Sequence, residues 1–245
     1  MTKAIILAAG RGSRMGDLTQ DVPKCFLVVK EKKLIEWQLG CLIEAGISDV
    51  AIVTGYRRDL TSKFGTTEFY NQQWSTTQMV SSLESAENWL MHHECIVSYS
   101  DIYYEKEVVQ SLMLENSEVS IAYDPEWLAL WSERFSDPLD DAETFRLDFD
   151  NNVTEIGARP KSLTEIQGQF MGLLKITPSG WRKIKEVRFG GDEKQNARQD
   201  MTGLLGQLIA EDVLQIRAVA NRGLWGETDS PSDIKVLEKT LKQKR

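Results

Sequence analysis

The sequence predicts an α/β fold, a mostly parallel sheet with helices on both faces. Three observations carry that expectation. Short apolar runs end at glycine or polar residues, stretches of helical period lie between them, and the two alternate regularly from residue 3 to residue 124. Apolar runs without polar alternation belong to strands covered on both sides. Parallel neighbours also need a crossover between them, which the intervening helices supply.

The elements follow in order. "KAIILA" (3–8) is the first strand and stops at Gly10. "KLIEWQLGCLIEAG" places Leu34, Gln38, Cys41, Leu42 and Ala45 at helical spacing and closes at Gly46, a C-terminal stop. "DVAIVTG" is the next strand. "TQMVSSLESAENWLM" sets Met79, Leu83, Ala86 and Leu90 on one helical stripe before the strand "ECIVSYSD". "KEVVQSLML" (106–114) is a helix leading to the strand "SEVSIAY". Regularity fades after residue 124, where a segment rich in tryptophan and acid precedes a hairpin around Asn151-Asn152. "FMGLLKIT" reads as a return to the main sheet. In "SPSDIKVLEKTLKQKR", Ser230 is the N-cap, Pro231 opens the helix, and Ile234, Leu237 and Leu241 face inward. The expectation is one domain over 1–245, with 124–168 inserted over the carboxyl edge of the sheet on the acceptor side.

Composition narrows the function. The chain has 245 residues, 41% of them apolar, enough for a sizeable core, and a formal net charge of −8 that argues against general nucleic-acid binding. No apolar stretch approaches the roughly 18 residues of a membrane span, and the N-terminal run is too short for a signal peptide. Three cysteines (Cys25, Cys41, Cys95) without paired or metal-type spacing read as reduced core thiols, and a cytoplasmic location is expected. Residues 1–33 nevertheless hold Lys3, Arg11, Arg14, Lys24, Lys30, Lys32 and Lys33 against only Asp17, Asp21 and Glu31. A basic segment kept on an acidic chain suits a small anion.

The loop behind the first strand, "LAAGRGSRMG", has methionine where a dinucleotide fingerprint needs its third glycine, and it lacks the Gly-Lys-Ser/Thr of a Walker loop. Two guanidinium groups beside flexible backbone N–H donors suit a polyanion such as a nucleoside triphosphate. "LAAGRGSRM" followed by "LTQDVPKCF" resembles the signature of the nucleotidyltransferases that make nucleotide-activated sugars and alcohols. The resemblance implies a Rossmann-like nucleotide-binding sheet and Mg²⁺-dependent exchange of pyrophosphate for a phosphorylated acceptor. It implies that Leu7, Ala8, Ala9, Gly10, Arg11 and Gly12 line base and phosphates. Arg14 would hold the leaving phosphates, and Lys24 the α-phosphate. Pro23 biases the backbone before that lysine toward an extended form.

Mg²⁺ takes hard oxygen ligands. Asp101 ends the strand "CIVSYS" at the carboxyl edge, where open α/β sheets bind ligands. Asp229 stands in "LWGETDSPSD", resembling the family's Glu-x-Asp element, with Glu227 on the same side of an extended segment. Asp229 could serve instead as a helix cap. The only histidines, His92 and His93, have no nucleophilic partner in the pattern. That fits a direct displacement in which a phosphate dianion, with a second pKa of about 6, attacks without a general base.

"FYNQQWSTTQMVSSLESA" resembles the corresponding stretch of the cytidylyltransferases that act on phosphocholine and 2-aminoethylphosphonate, with Gln78 where that pattern has asparagine and Ser82 in the same run. The resemblance implies CTP as donor. Trp127, Trp131 and Trp225 alongside Asp137, Asp140, Asp141 and Glu143 suit an acceptor carrying an ammonium group, because indole faces attract cations by about 0.5–2 kcal/mol. Core packing is the other reading of these tryptophans. Phosphoglutamine also carries an ammonium group. A sugar-1-phosphate nucleotidyltransferase using UTP, dTTP or GTP, and a nucleotide-binding domain without catalysis, are the alternatives. The assembly stays open, with a homodimer as one option.

Overall fold

A computed structural model describes residues 1–64 and 67–242. Seven strands form its central sheet: β1 (Lys3–Ala8), β2 (Val50–Thr54), β3 (Thr67–Tyr70), β4 (Cys95–Tyr99), β5 (Val119–Asp124), β6 (Gln169–Ile176) and β7 (Ile216–Ala220). Their order is β7-β5-β6-β4-β1-β2-β3. Neighbours are parallel except around β6, which runs antiparallel to both β4 and β5. The sheet is therefore mostly parallel, as the apolar runs predict.

Alternation along β1 shows how both faces are covered. Ile5 and Leu7 join a core cluster with Val80, Leu83, Trp181, Ile184, Leu204 and Leu208, from the helices Met79–Glu84, Pro178–Phe189 and Met201–Ala210. Ala4, Ile6 and Ala8 point the other way, to Ile35, Leu42, Val108, Leu112, Trp127 and Trp131. Those residues come from Leu34–Glu44, Lys106–Leu114 and Trp127–Arg134. A third small cluster, Met15, Leu27, Val29, Leu34, Leu237 and Leu241, docks the C-terminal helix Pro231–Thr240 beside the glycine loop.

Two differences from the expected pattern have local causes. The stripe over 79–90 is two short helices, Met79–Glu84 and Glu87–Leu90. Ser85 and Ala86 donate three residues back, to Ser82 and Leu83, tightening the turn, yet Leu83, Ala86 and Leu90 stay fully buried. The hairpin is present as Phe145–Leu147 paired with Val153–Ile156, and Asn151 takes the left-handed conformation (φ 59°) that such a turn requires. Residues 125–168, with the helix Trp127–Arg134 and this hairpin, leave the sheet between β5 and β6. The helices Pro178–Phe189 and Met201–Ala210 and the strand β7 complete the second half of the sheet. No helix among the described residues is long and apolar enough to cross a membrane.

Candidate active site

A cavity of about 270 Å³ opens where β1 and β4 end. Leu7, Ala9, Gly10, Gly12, Arg14, Lys24, Gln78, Ser82 and Asp101 all line it. Ala8 faces the opposite core, as strand alternation demands. Arg11 is exposed, its guanidinium 5.9 Å from the Tyr56 ring centroid. A larger hollow of about 810 Å³ lies beyond Thr77; Asn71, Gln73 and Ser81 of "FYNQQWSTTQMVSSLESA" line it, but none of the candidate site residues do.

The glycine loop places the basic groups. Gly12 is left-handed (φ 72°), and a Cβ there would sit 2.9 Å from the Lys24 side chain. The position therefore needs glycine both for its backbone and for the lysine lying across it. Thr19 Oγ1 (2.9 Å) and Met15 N (3.0 Å) both donate to the Gly12 carbonyl and tie the loop to the 3₁₀ segment Ser13–Thr19. Pro23 is extended (ψ 153°) just before the short turn Lys24–Phe26, which buries the lysine stem beside Cys25 and Phe26.

Lys24 joins the two acids 128 positions apart that the sequence pairs. Its Nζ donates to Asp101 Oδ2 at 2.6 Å and to Asp229 Oδ1 at 2.7 Å. Arg14 Nη2 reaches the same Asp229 oxygen at 2.8 Å. Burial pulls the Lys24 ammonium toward neutrality, but Asp101 and Asp229 outweigh it and its pKa is raised. Burial works upward on Asp229, and Lys24, Arg14 and Arg134 outweigh it, leaving that carboxyl below its usual range. Asp229 does not cap the following helix. Asp233 Oδ2 accepts from Ser230 N (2.7 Å) and Asp229 N (2.9 Å), so Ser230 and Asp233 make the cap and the Asp229 carboxylate is left for Lys24 and Arg14.

Among the described residues, Asp141, Glu227 and Asp229 offer carboxylate oxygens within 4.8 Å of one another. Asp101 is attached to this group through Lys24. Burial raises Glu227, to about 8, with Asp229 and Asp101 adding to the rise and Arg134 opposing it. Burial likewise raises Asp141 and Glu143. Three carboxylate oxygens at this spacing are a hard donor set that fits a divalent cation such as Mg²⁺.

Arg134 is the residue that sequence reasoning missed. Its side chain is 0% exposed and binds Glu227 through Nη1, Asp233 through Nε at 3.1 Å, and Asp229 through Nη2 at 3.6 Å. A signal was present. Trp127, Trp131 and Arg134 share one helical face, so the arginine points where the buried tryptophans point.

Those tryptophans correct the expectation of an open aromatic box. Trp127, Trp131 and Trp225 are 4%, 3% and 5% exposed and pack on one another. The cation over Trp131 is the protein's own Arg134, 4.9 Å from the ring centroid. Trp225 Nε1 donates to the buried Asp124 at 2.7 Å. Of the accompanying acids, Asp137 caps the turn Pro138–Asp140 and Asp140 is exposed. Glu143 is held in place by its neighbours: the Gln169 side-chain amide donates to its carbonyl (2.7 Å) and accepts from its backbone N–H (3.3 Å), and Thr202 Oγ1 donates to its carboxylate at 3.3 Å. Burial, with Asp101, Glu143, Asp200 and Glu227 nearby, raises the Tyr99 phenol well above its usual value.

A glycine loop with an embedded lysine and arginine, facing clustered acids at the carboxyl edge of a mostly parallel sheet, defines an enzyme that transfers nucleotidyl groups. Residues 4–144 match the MobA-like NTP transferase domain, and the chain belongs to that family. It is 34% identical to the CTP:phosphoglutamine cytidylyltransferase of Campylobacter jejuni, over 95% of this chain and 98% of that protein. It is 30% identical to the choline-phosphate cytidylyltransferase of Streptococcus pneumoniae, over 54% of this chain and 60% of that protein. Among solved structures, the inositol-1-phosphate CTP transferase of T. maritima superposes with a TM-score of 0.76 at 20% identity, covering 100% of this chain and 97% of that one. The CTP:phosphocholine cytidylyltransferase of Streptococcus pneumoniae does so at 0.71 and 23%, covering 98% and 99%.

Proposed function

We propose that the protein transfers the cytidylyl group of CTP to a small phosphorylated or phosphonate compound bearing an ammonium group, releasing pyrophosphate. The observation that carries this reading is Lys24 Nζ seated between Asp101 and Asp229 at the mouth of the glycine-loop cavity. The near full-length similarity to a CTP:phosphoglutamine cytidylyltransferase supports CTP as donor and a phosphorylated amino acid as the first acceptor to test.

In this reading, an acceptor phosphate oxygen attacks the α-phosphorus of CTP in line. A new P–O bond forms, the bond from the α-phosphorus to the bridging oxygen breaks, and pyrophosphate leaves with that electron pair. The acceptor is already a dianion near neutral pH, its second pKa being about 6, so no side chain has to remove a proton. Leu7, Ala9, Gly10, Gln78 and Ser82 line the nucleotide, Lys24 serves the α-phosphate, and Arg14 the two phosphates that depart. Positioning and charge neutralisation are what such a transfer demands. Asp229 and Glu227, with Asp141 or Asp101, would hold Mg²⁺, which supplies neutralisation of the transferring phosphates. Segment 124–168 forms the acceptor side, and Glu143 on it, fixed by Gln169 and Thr202, is the counter-charge for the acceptor's ammonium group.

The test is pyrophosphate release over CTP, UTP, dTTP and GTP with a panel of phosphoglutamine, phosphocholine, 2-aminoethylphosphonate and sugar 1-phosphates, with and without Mg²⁺. Turnover confined to CTP and ammonium-bearing acceptors is expected. Equal turnover of sugar 1-phosphates, or preference for another nucleotide, overturns the reading.

A further inference from the structure

Asp101 lies in the turn that follows β4, and side chains from two distant segments hold that turn. Gln38, on the helix Leu34–Glu44, donates through Nε2 to the carbonyls of Tyr99 and Ile102, both at 2.7 Å. The two carbonyls flank Ser100 and Asp101, so one amide group closes the turn from both ends. Thr228 donates to the Asp101 carbonyl twice, from its backbone N at 3.0 Å and from Oγ1 at 3.1 Å. Thr228 lies between Glu227 and Asp229, and the ladder that pairs Gly226–Glu227 with Ile102–Tyr103 runs into this contact.

Neither residue lines the cavity, and both are buried, Gln38 at 1% and Thr228 at 0% exposure. Gln38 Oε1 has no hydrogen-bond partner among the described residues. Packing alone would be met by methionine or leucine at position 38 and would avoid stranding a buried acceptor. The amide earns its place through its two N–H groups.

We infer that Gln38 and Thr228 are positioning residues: they form a backbone clamp that sets the spacing between Asp101 and the Glu227–Asp229 segment. The inference rests on the reading of those acids given above. Groups that orient metal-binding carboxylates typically contribute about 10- to 100-fold in metal affinity or activity.

Thr228 allows hydroxyl and packing to be separated. Thr228→Val keeps the volume and the backbone bond but removes the Oγ1 donor. Thr228→Ser keeps the donor and removes the methyl group. Gln38→Met removes both donors from the turn. For each purified full-length variant, kcat and KM for CTP are measured by pyrophosphate release, Mn²⁺ affinity by electron paramagnetic resonance, and Tm by thermal unfolding. Thr228→Val and Gln38→Met are expected to lower kcat by about 10- to 100-fold and to weaken Mn²⁺ binding in parallel. KM for CTP should stay within about threefold in both, since neither residue touches the nucleotide cavity. Thr228→Ser is expected to restore kcat and Mn²⁺ affinity although its Tm falls. Loss of activity in Thr228→Ser that follows its Tm overturns the clamp, as does wild-type kcat and Mn²⁺ affinity in both Thr228→Val and Gln38→Met. Asp101→Asn, measured alongside, distinguishes the two levels. Full turnover there removes the assignment of Asp101 itself, whereas lost turnover there with normal Thr228→Val and Gln38→Met removes only the clamp.

Discussion

Replacing Lys24 by methionine is the sharpest probe of the electrostatic design. Its side chain is 9% exposed, and its Nζ binds Asp101 and Asp229 at 2.6 and 2.7 Å. Two oxygens bound to one nitrogen lie no further apart than about twice that distance. At such spacing and an effective dielectric of about 20, two bare negative charges repel by roughly 3 kcal/mol. Removing one member of a buried ion pair costs about 3–5 kcal/mol in general. The acids keep some contact with water, 21% and 17% exposed, which places the expected loss for Lys24→Met at the lower figure, about 3 kcal/mol. Urea unfolding at pH 7 in EDTA measures it. The pH dependence follows in sign. Lys24 has a raised pKa, so its contribution is complete below 10.5 and is lost as pH rises through the folded value. Asp229 has a lowered pKa, so its contribution is complete above 3.8 and is lost as pH falls through the folded value. The gap between wild type and variant is therefore widest between those limits and closes toward both. Adding Asp101→Asn to Lys24→Met removes one of the repelling charges and should recover most of the loss. A double variant no more stable than Lys24→Met, or a single variant within about 1 kcal/mol of wild type, refutes the reasoning.

Other perturbations test the surrounding structure. Arg134→Met leaves Glu227 and Asp233 facing each other without their cation and should cost about 3–5 kcal/mol in urea unfolding. Arg134→Lys should recover little, because a single ammonium cannot reproduce the separate Nε and Nη1 bonds, and full recovery by lysine would show that only charge matters. Asp124 is raised by burial, so its ionised form weakens the fold as pH climbs past its unfolded value. Asp124→Asn keeps an acceptor for Trp225 Nε1 and should equal or exceed wild type in stability at pH 7, with the advantage vanishing toward pH 4. A lower Tm than wild type at pH 7 would contradict that account.

Much of the fold was legible because its signals are local. Predominantly apolar runs marked β1, β2, β4 and β5, and their two-sided burial explains why the few polar residues within them, such as Ser98 and Ser120, are small. Ser230-Pro231 marked the last helix, and its capping box is present. The antiparallel sense of β6 was not legible, since direction depends on where a segment of some forty residues returns the chain and leaves no mark in the strand itself. Of the helices that went unread, two had visible caps. Thr177-Pro178 opens one and Asp200 the other, and the side-chain oxygen of each accepts a hydrogen bond from a backbone N–H three residues on.

The site divides along the same line. The glycines and arginines of the loop stood out because a backbone that must approach a polyanion constrains residue type at neighbouring positions, whereas Lys24 entered only through the resemblance of "LTQDVPKCF" to the family pattern. Asp101 was singled out by its place at the end of a strand, and Asp229 by the resemblance of its segment to the family's Glu-x-Asp element. What the sequence hid was pairing. The tryptophans looked like a ligand surface because a binding aromatic and a core aromatic have the same composition, and only the 3–5% exposure of Trp127, Trp131 and Trp225 separates them. The same helical face that buries Trp131 carries Arg134 into the acids, so the feature that removed an aromatic box supplied an internal cation. Asp101, Asp141, Glu227 and Asp229 crowd one end of a chain of net charge −8, and Lys24 and Arg134 are what allow them to stand together. Lys24 is the one of the two that also faces the cavity, so under the proposed reading a triphosphate entering beside it would compete with Asp101 and Asp229 for the same ammonium group. Substrate binding and release of the acids would then be a single exchange of partners at one nitrogen.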